Sequence, residues 1–137
     1  MSTMNSRLAR AIAVVAVVAM ATGLVVNAQQ APAVKRNVVL KQDMSAVDRE
    51  AIMAWVELPP GGAEGKHTHP AEVFAFMLEG TITLENEGNP TTTLKAGDVF
   101  HVLPGKVHQA INNGSVTAKL AAVFVAEKGK PLTTQVK

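Results

Sequence analysis

The 137-residue sequence has no cysteine, no tyrosine and one tryptophan. Without cysteine there is neither a disulfide framework nor a lipid-bearing thiol, so an exported form of this chain must stand on its hydrophobic core. Lys and Arg nowhere form a cluster, which removes the electrostatic case for nucleic acid or an anionic membrane surface. There is no phosphate-cradling glycine loop, no nucleophile motif and no second acid/base pair. Internal repeats are absent as well. These absences leave a small, single-domain, near-neutral protein.

What is present begins with a leader. Arg7 and Arg10 precede the apolar run from Ala11 to Val26, broken only by Thr22 and Gly23, and Val26-Asn27-Ala28 has the small-residue spacing of a cleavage site. This predicts a secretory signal peptide over residues 1–28, cut after Ala28, and a periplasmic or secreted mature protein with no membrane attachment after cleavage. The alternative is an uncleaved anchor, but a spanning helix asks for about 20 apolar residues and this run is shorter. Arg7 and Arg10 are not adjacent, so there is no twin-arginine signal. Thirteen Lys and Arg less these two leaves eleven, against eleven Asp and Glu, so the basic excess belongs to the leader.

Residues 29–36, rich in Gln, Ala and Pro, read as a flexible arm, and residues 37–137 as one domain. Strands are expected at Val38 to Leu40, Ala51 to Leu58, Val73 to Glu79, Thr81 to Asn86, Thr91 to Lys95, Val99 to Leu103, His108 to Asn112 and Val116 to Val125. Glycine, proline and asparagine turns separate them. Gly80 reads as a tight hairpin turn, and Asn113-Gly114 as a type I′ hairpin. Met53, Trp55, Phe74, Phe76, Met77, Phe100 and Phe124 are the expected large core residues. Many short strands with such turns predict an all-β jelly roll.

The chemistry-bearing stretch is His67-Thr68-His69-Pro70-Ala71-Glu72, with a further histidine at His108 in a similar loop setting. Imidazole nitrogen with carboxylate oxygen suits a divalent transition metal: Fe, Mn, Ni or Zn. His101, between Phe100 and Val102, reads as a strand residue, and Glu64, Glu79, Glu85 and Glu87 as solvated carboxylates. Gln109 follows His108 and is placed to hydrogen-bond beside it, while Asn112 reads as a turn former.

These residues resemble two motifs of the cupin family. Gly61, His67, His69 and Gly80 stand where the first motif has its glycines and histidines; Gly97, Gly105, His108 and Asn112 stand where the second has its own. The resemblance implies a cupin-type double-stranded β-helix, that is, a jelly-roll barrel, with a metal held by His67, His69, His108 and a carboxylate. That carboxylate would fall at Val73, whereas the chain offers Glu72. Either Pro70-Ala71 forms a bulge that returns Glu72 to the metal, or three histidines and water complete the site. The resemblance further implies a small-molecule substrate, a metal-dependent, dioxygenase-like oxidation, and a homodimer formed through sheet edges. A non-catalytic binding module for a sugar or metabolite is the alternative.

Overall fold

In the computed structural model of the protein, which describes residues 30–137, ten strands follow one another with no helix between them. The expected signal peptide and its helix lie outside the described residues. The strands are β1 (Lys35–Asp43), β2 (Arg49–Leu58), β3 (His67–Thr68), β4 (Ala71–Glu79) and β5 (Thr81–Asn86). They continue with β6 (Thr92–Lys95), β7 (Val99–Val102), β8 (His108–Ile111), β9 (Ala118–Glu127) and β10 (Thr134–Gln135). Two five-stranded antiparallel sheets result, in the orders β1-β2-β9-β4-β7 and β10-β3-β8-β5-β6. The all-β expectation holds, and the strand positions agree within a few residues. The arm is shorter than expected, because β1 already starts at Lys35 and pairs Arg36 with Val56.

Period-two alternation builds the core. Along β9, Ala118, Leu120, Ala122, Phe124 and Ala126 point inward and the intervening residues outward. Ile52, Ala54, Val56 and Leu58 of β2 meet them, with Val73, Ala75 and Met77 of β4 on the other side. Each fully buried Leu, Ile, Met or Phe contributes about 1.5–3 kcal/mol of transfer free energy.

The same alternation sends several expected core residues outside. Met53, Trp55, Phe74 and Phe76 are 38–48% exposed. They share parity with outward positions, while the smaller Ala54, Ala75 and Val73 fill the interior. Composition suggested a core role for these side chains; strand phase overrides it.

Two expected hairpins are crossings between sheets. β4 and β5 lie in different sheets, so Gly80 is a corner. Its φ is +71°, and a Cβ there would stand 2.8 Å from the Cα of Ala118, so the corner accepts only glycine. β8 and β9 also belong to different sheets. The Asn113-Gly114 loop between them is organised by the buried Asn112 side chain. Its Nδ2 donates to the carbonyls of Leu58 and Val116 at 2.7 and 2.8 Å, and its Oδ1 accepts from Gly114 N–H at 2.8 Å. Local turn chemistry pointed to a hairpin; long-range strand partners decided otherwise.

Candidate metal centre

Strand pairing delivers the three histidines to one place. His67 in β3 and His108 at the start of β8 are direct cross-strand partners, and His69 follows two residues after His67, on the same face. All three are buried, with 1, 3 and 5% exposure for His67, His69 and His108. Their ring centroids lie 4.3–5.0 Å apart, and one ligating nitrogen from each falls within 4.8 Å of the others.

Hydrogen bonds settle the tautomers. The Nδ1 of His67 lies 2.7 Å from the Gly65 carbonyl, that of His69 2.6 Å from the Leu132 carbonyl, and that of His108 3.0 Å from the Lys106 carbonyl. A carbonyl only accepts, so each Nδ1 carries a proton, and in the neutral ring the lone pair lies at Nε2. The Nε2 atoms of His67 and His69 are 3.1 Å apart, and as neutral Nδ1–H rings neither has a proton to give the other. Two facing lone pairs repel at that distance, and a cation between them removes the conflict. The spacing suits two nitrogens each about 2.1 Å from one ion. Backbone carbonyls behind imidazoles are the support that metal-ligating histidines require.

Burial reinforces neutrality. The His69 pKa is lowered from 6.5 to about 3, chiefly by desolvation and further by the neighbouring histidines, against the raising effect of its bond to Leu132. The His108 pKa is also lowered, first by desolvation. Neutral imidazoles are the ligating form.

Glu72 is not brought to this cluster. Register along β4 against β9 is unbroken from Ala71 to Met77, so the expected bulge is absent and Glu72 keeps the outward parity of Phe74 and Phe76. Its carboxylate instead accepts a hydrogen bond from His101 Nε2 at 2.8 Å, on the exterior. Val73 is buried and forms part of the apolar wall.

Two charged residues that composition did not single out stand at the site. Glu64 was expected in solvent, but its side chain is only 15% exposed and its Oε2 lies 4.0 Å from His67 Nε2. The loop carrying it is pinned to β8 by the Glu64 N–H bond to the Ala110 carbonyl and the Ala63 to Ile111 bridge. Its position three residues before His67 was the available signal. Arg36 reaches in from β1, with its guanidinium carbon 5.5 Å from the Phe124 ring centroid. It donates to Thr133 Oγ1 at 2.9 Å and to Glu64 Oε1 at 3.4 Å. Nothing local marks Arg36, because it lies far upstream of the histidines in sequence. Its Nε is buried without a partner, a condition that costs about 1–3 kcal/mol.

His69, His108, Glu64 and Arg36 line one end of an interior cavity of about 20 Å³, whose remaining wall is apolar. That volume suits about one water-sized body. Arg36 and Glu64 also line an adjoining outer pocket of about 180 Å³, together with His67 and Thr133.

Comparison with known proteins agrees with this geometry. Residues 54–124 match the cupin domain family, Cupin_2. Germin-like protein subfamily 2 member 1 of Arabidopsis thaliana is 42% identical over 77 residues, which cover 50% of this chain and 34% of that protein. The chain thus spans about a third of the length of the curated relatives it matches. Among solved structures, a protein with a double-stranded β-helix domain from Klebsiella pneumoniae superposes with TM-score 0.62 at 23% identity, over 76% of this chain and 84% of that one. A predicted oxalate decarboxylase from Thermotoga maritima gives 0.59 at 26% identity, over 68% and 80%.

Proposed function

The chain belongs to the cupin family, and from that premise we propose that it is an exported metal-dependent enzyme acting on a small organic molecule by dioxygenase-like oxidation. The observation that carries the metal is the pair of facing Nε2 lone pairs of His67 and His69 at 3.1 Å, with every Nδ1 committed to a carbonyl. His67, His69 and His108 would hold a divalent Fe, Mn, Ni or Zn ion. When bound, such an ion supplies Lewis acidity and open coordination positions for a small ligand.

The chain's own residues set the conditions around it. The carbonyls of Gly65, Leu132 and Lys106 fix the imidazole orientations, and the apolar wall of Val73, Ala75, Phe100 and Phe124 limits water. Glu64 is the carboxylate placed to accept a proton at the pocket. A catalytic reading is favoured over a passive binding module by the neutral, buried donor set beside an ionisable side chain. The similarity to a predicted oxalate decarboxylase supports an enzymatic reading with a small organic substrate. Export rests on the N-terminal leader pattern.

Self-association belongs to this reading, through a face rather than an edge. Trp55, Ala121, Phe76 and Val99 form one cross-strand row, and Met53, Val123 and Phe74 the next. The first row is uncharged, the second ends on His101 opposite Phe74, where the imidazole is bonded to Glu72, and the large side chains of both are exposed. A second copy offers the same apolar surface, as a two-fold dimer requires.

The test is metal analysis of protein purified from its native compartment, followed by oxygen consumption with a panel of phenols, flavonols and thiols. One equivalent of a transition metal with substrate-dependent oxygen uptake is the expected result. Less than about a tenth of an equivalent, with no rise in melting temperature on adding Fe, Mn, Ni or Zn, would defeat the metalloenzyme reading. Metal without turnover would leave the binding module.

A further inference from the structure

We propose that Arg36 is the recognition residue for the carboxylate of a small organic anion, bound at the mouth of the three-histidine pocket, where Glu64 holds its place in the ligand-free protein. Arg36 lies outside both histidine-bearing stretches and enters from β1. It lines the inner cavity and the outer pocket alike, as does Glu64, so the pair stands where a ligand passes from one to the other.

The donor inventory of Arg36 is incomplete in a telling way. Nη1 is used by Thr133 at 2.9 Å and Nη2 by one oxygen of Glu64 at 3.4 Å, while Nε is buried with no partner. It is the one buried side-chain polar atom left unpaired among the described residues. A guanidinium is built to give two parallel N–H bonds to one carboxylate. Glu64 does not take them, since it reaches the fork with a single long bond. A purely structural ion pair would close on both donors; this one leaves Nε buried without an acceptor, an edge that a carboxylate reaches as Glu64 gives way.

Charge points the same way. His69 and His108, their pKa values lowered by burial, line the cavity uncharged, Val73 is apolar and Glu72 faces outward, so Glu64 is the one acid lining the cavity and Arg36 the one permanent cation. Adding a divalent ion makes the pocket net positive, and a carboxylate lowers that excess. The cavity of about 20 Å³ admits about one water-sized group beside the histidines, so the body of a ligand stays in the outer pocket of about 180 Å³. The ion's share of this charge argument rests on the metal-dependent reading above; the unpaired Nε of Arg36 does not.

The experiment titrates the full mature protein, metal-free and metal-loaded, with acetate, and with acetamide as a neutral probe of the same shape. Metal content is measured in parallel. Acetate is expected to bind at least about tenfold more tightly than acetamide. Arg36→Met and Arg36→Lys should each weaken acetate about tenfold while metal content stays at the wild-type level. The lysine variant keeps the charge and an aliphatic stem of similar length, which guards against a folding defect. Glu64→Gln should tighten acetate, because the internal occupant is weakened. Equal affinity of acetate for wild type and both Arg36 variants, or acetamide binding as well as acetate, would overturn the proposal. Arg36-dependent acetate binding in a protein that takes up no metal would defeat the metal-dependent reading and uphold this one.

Discussion

Glu72 and His101 face each other on the outside of the barrel, with 2.8 Å between a carboxylate oxygen and Nε2, and Phe74 stacks on the imidazole at 4.8 Å. The carboxylate that follows the His-x-His pair by three residues is thereby engaged on the opposite side of the sheet from the histidines. Glu72→Gln should leave metal affinity unchanged, whereas His67→Ala or His108→Ala should lower it by about a hundredfold or more. Isothermal titration with Zn and Mn reads this directly. Loss of metal in the Glu72 variant would return that carboxylate to the site.

The buried histidines give the metal-free fold a defined response to acid. The folded-state pKa of His69 is about 3 against 6.5, and that of His108 is lowered too. Between those values the unfolded chain binds protons that the folded chain refuses, so stability is fully present above 6.5 and lost as pH falls towards 3. The melting temperature of metal-free protein should therefore be flat from about pH 7 to 8 and decline steadily on acidification below the ordinary histidine range. A melting temperature that rises between about pH 6 and 5 would mean that the cluster is protonated in the fold.

Asn112 is fully buried and ties β2 to the loop leading into β9 through three short hydrogen bonds. Asn112→Ala strands two carbonyls and one N–H, and should cost about 3 kcal/mol. Urea denaturation monitored by Trp55 fluorescence measures it. A change below about 0.5 kcal/mol would show that water replaces the side chain without penalty.

Trp55 and Phe76 sit at the centre of the apolar outer face, 48 and 46% exposed. The wild type is expected to sediment as a dimer, and Trp55→Glu or Phe76→Glu as a monomer of unchanged secondary structure. A charge on an exposed strand position costs the fold little but is expensive inside an interface. A wild-type protein that remains monomeric at high concentration would refute self-association through this face.

Much of the architecture is a local property and was therefore readable. Apolar runs stopped by turn residues located β2 and β4, a two-faced pattern located β5 and β9, and the paired histidine spacings, including His108 about forty residues after His67, identified the family and the three imidazoles. Local signals failed where partners are remote in sequence. Gly80 and Asn113-Gly114 have the chemistry of tight turns, but whether the flanking strands pair depends on β9, β7 and β3, so both are crossings between sheets. The aromatic residues were assigned to the interior by type, although strand parity places Phe74 and Phe76 outside.

For the site, the sequence by itself determined which side chains can donate to a metal and, through parity, which face His67 and His69 share. Only the tertiary structure decided that no bulge rescues Glu72, that each Nδ1 meets a carbonyl, and that Arg36 and Glu64 stand at the pocket mouth. The physical reason is the same in each case. Alternation and residue chemistry act between neighbours along the chain, whereas the Leu132 carbonyl behind His69 and the Arg36 guanidinium over Phe124 exist only once distant strands have closed the barrel.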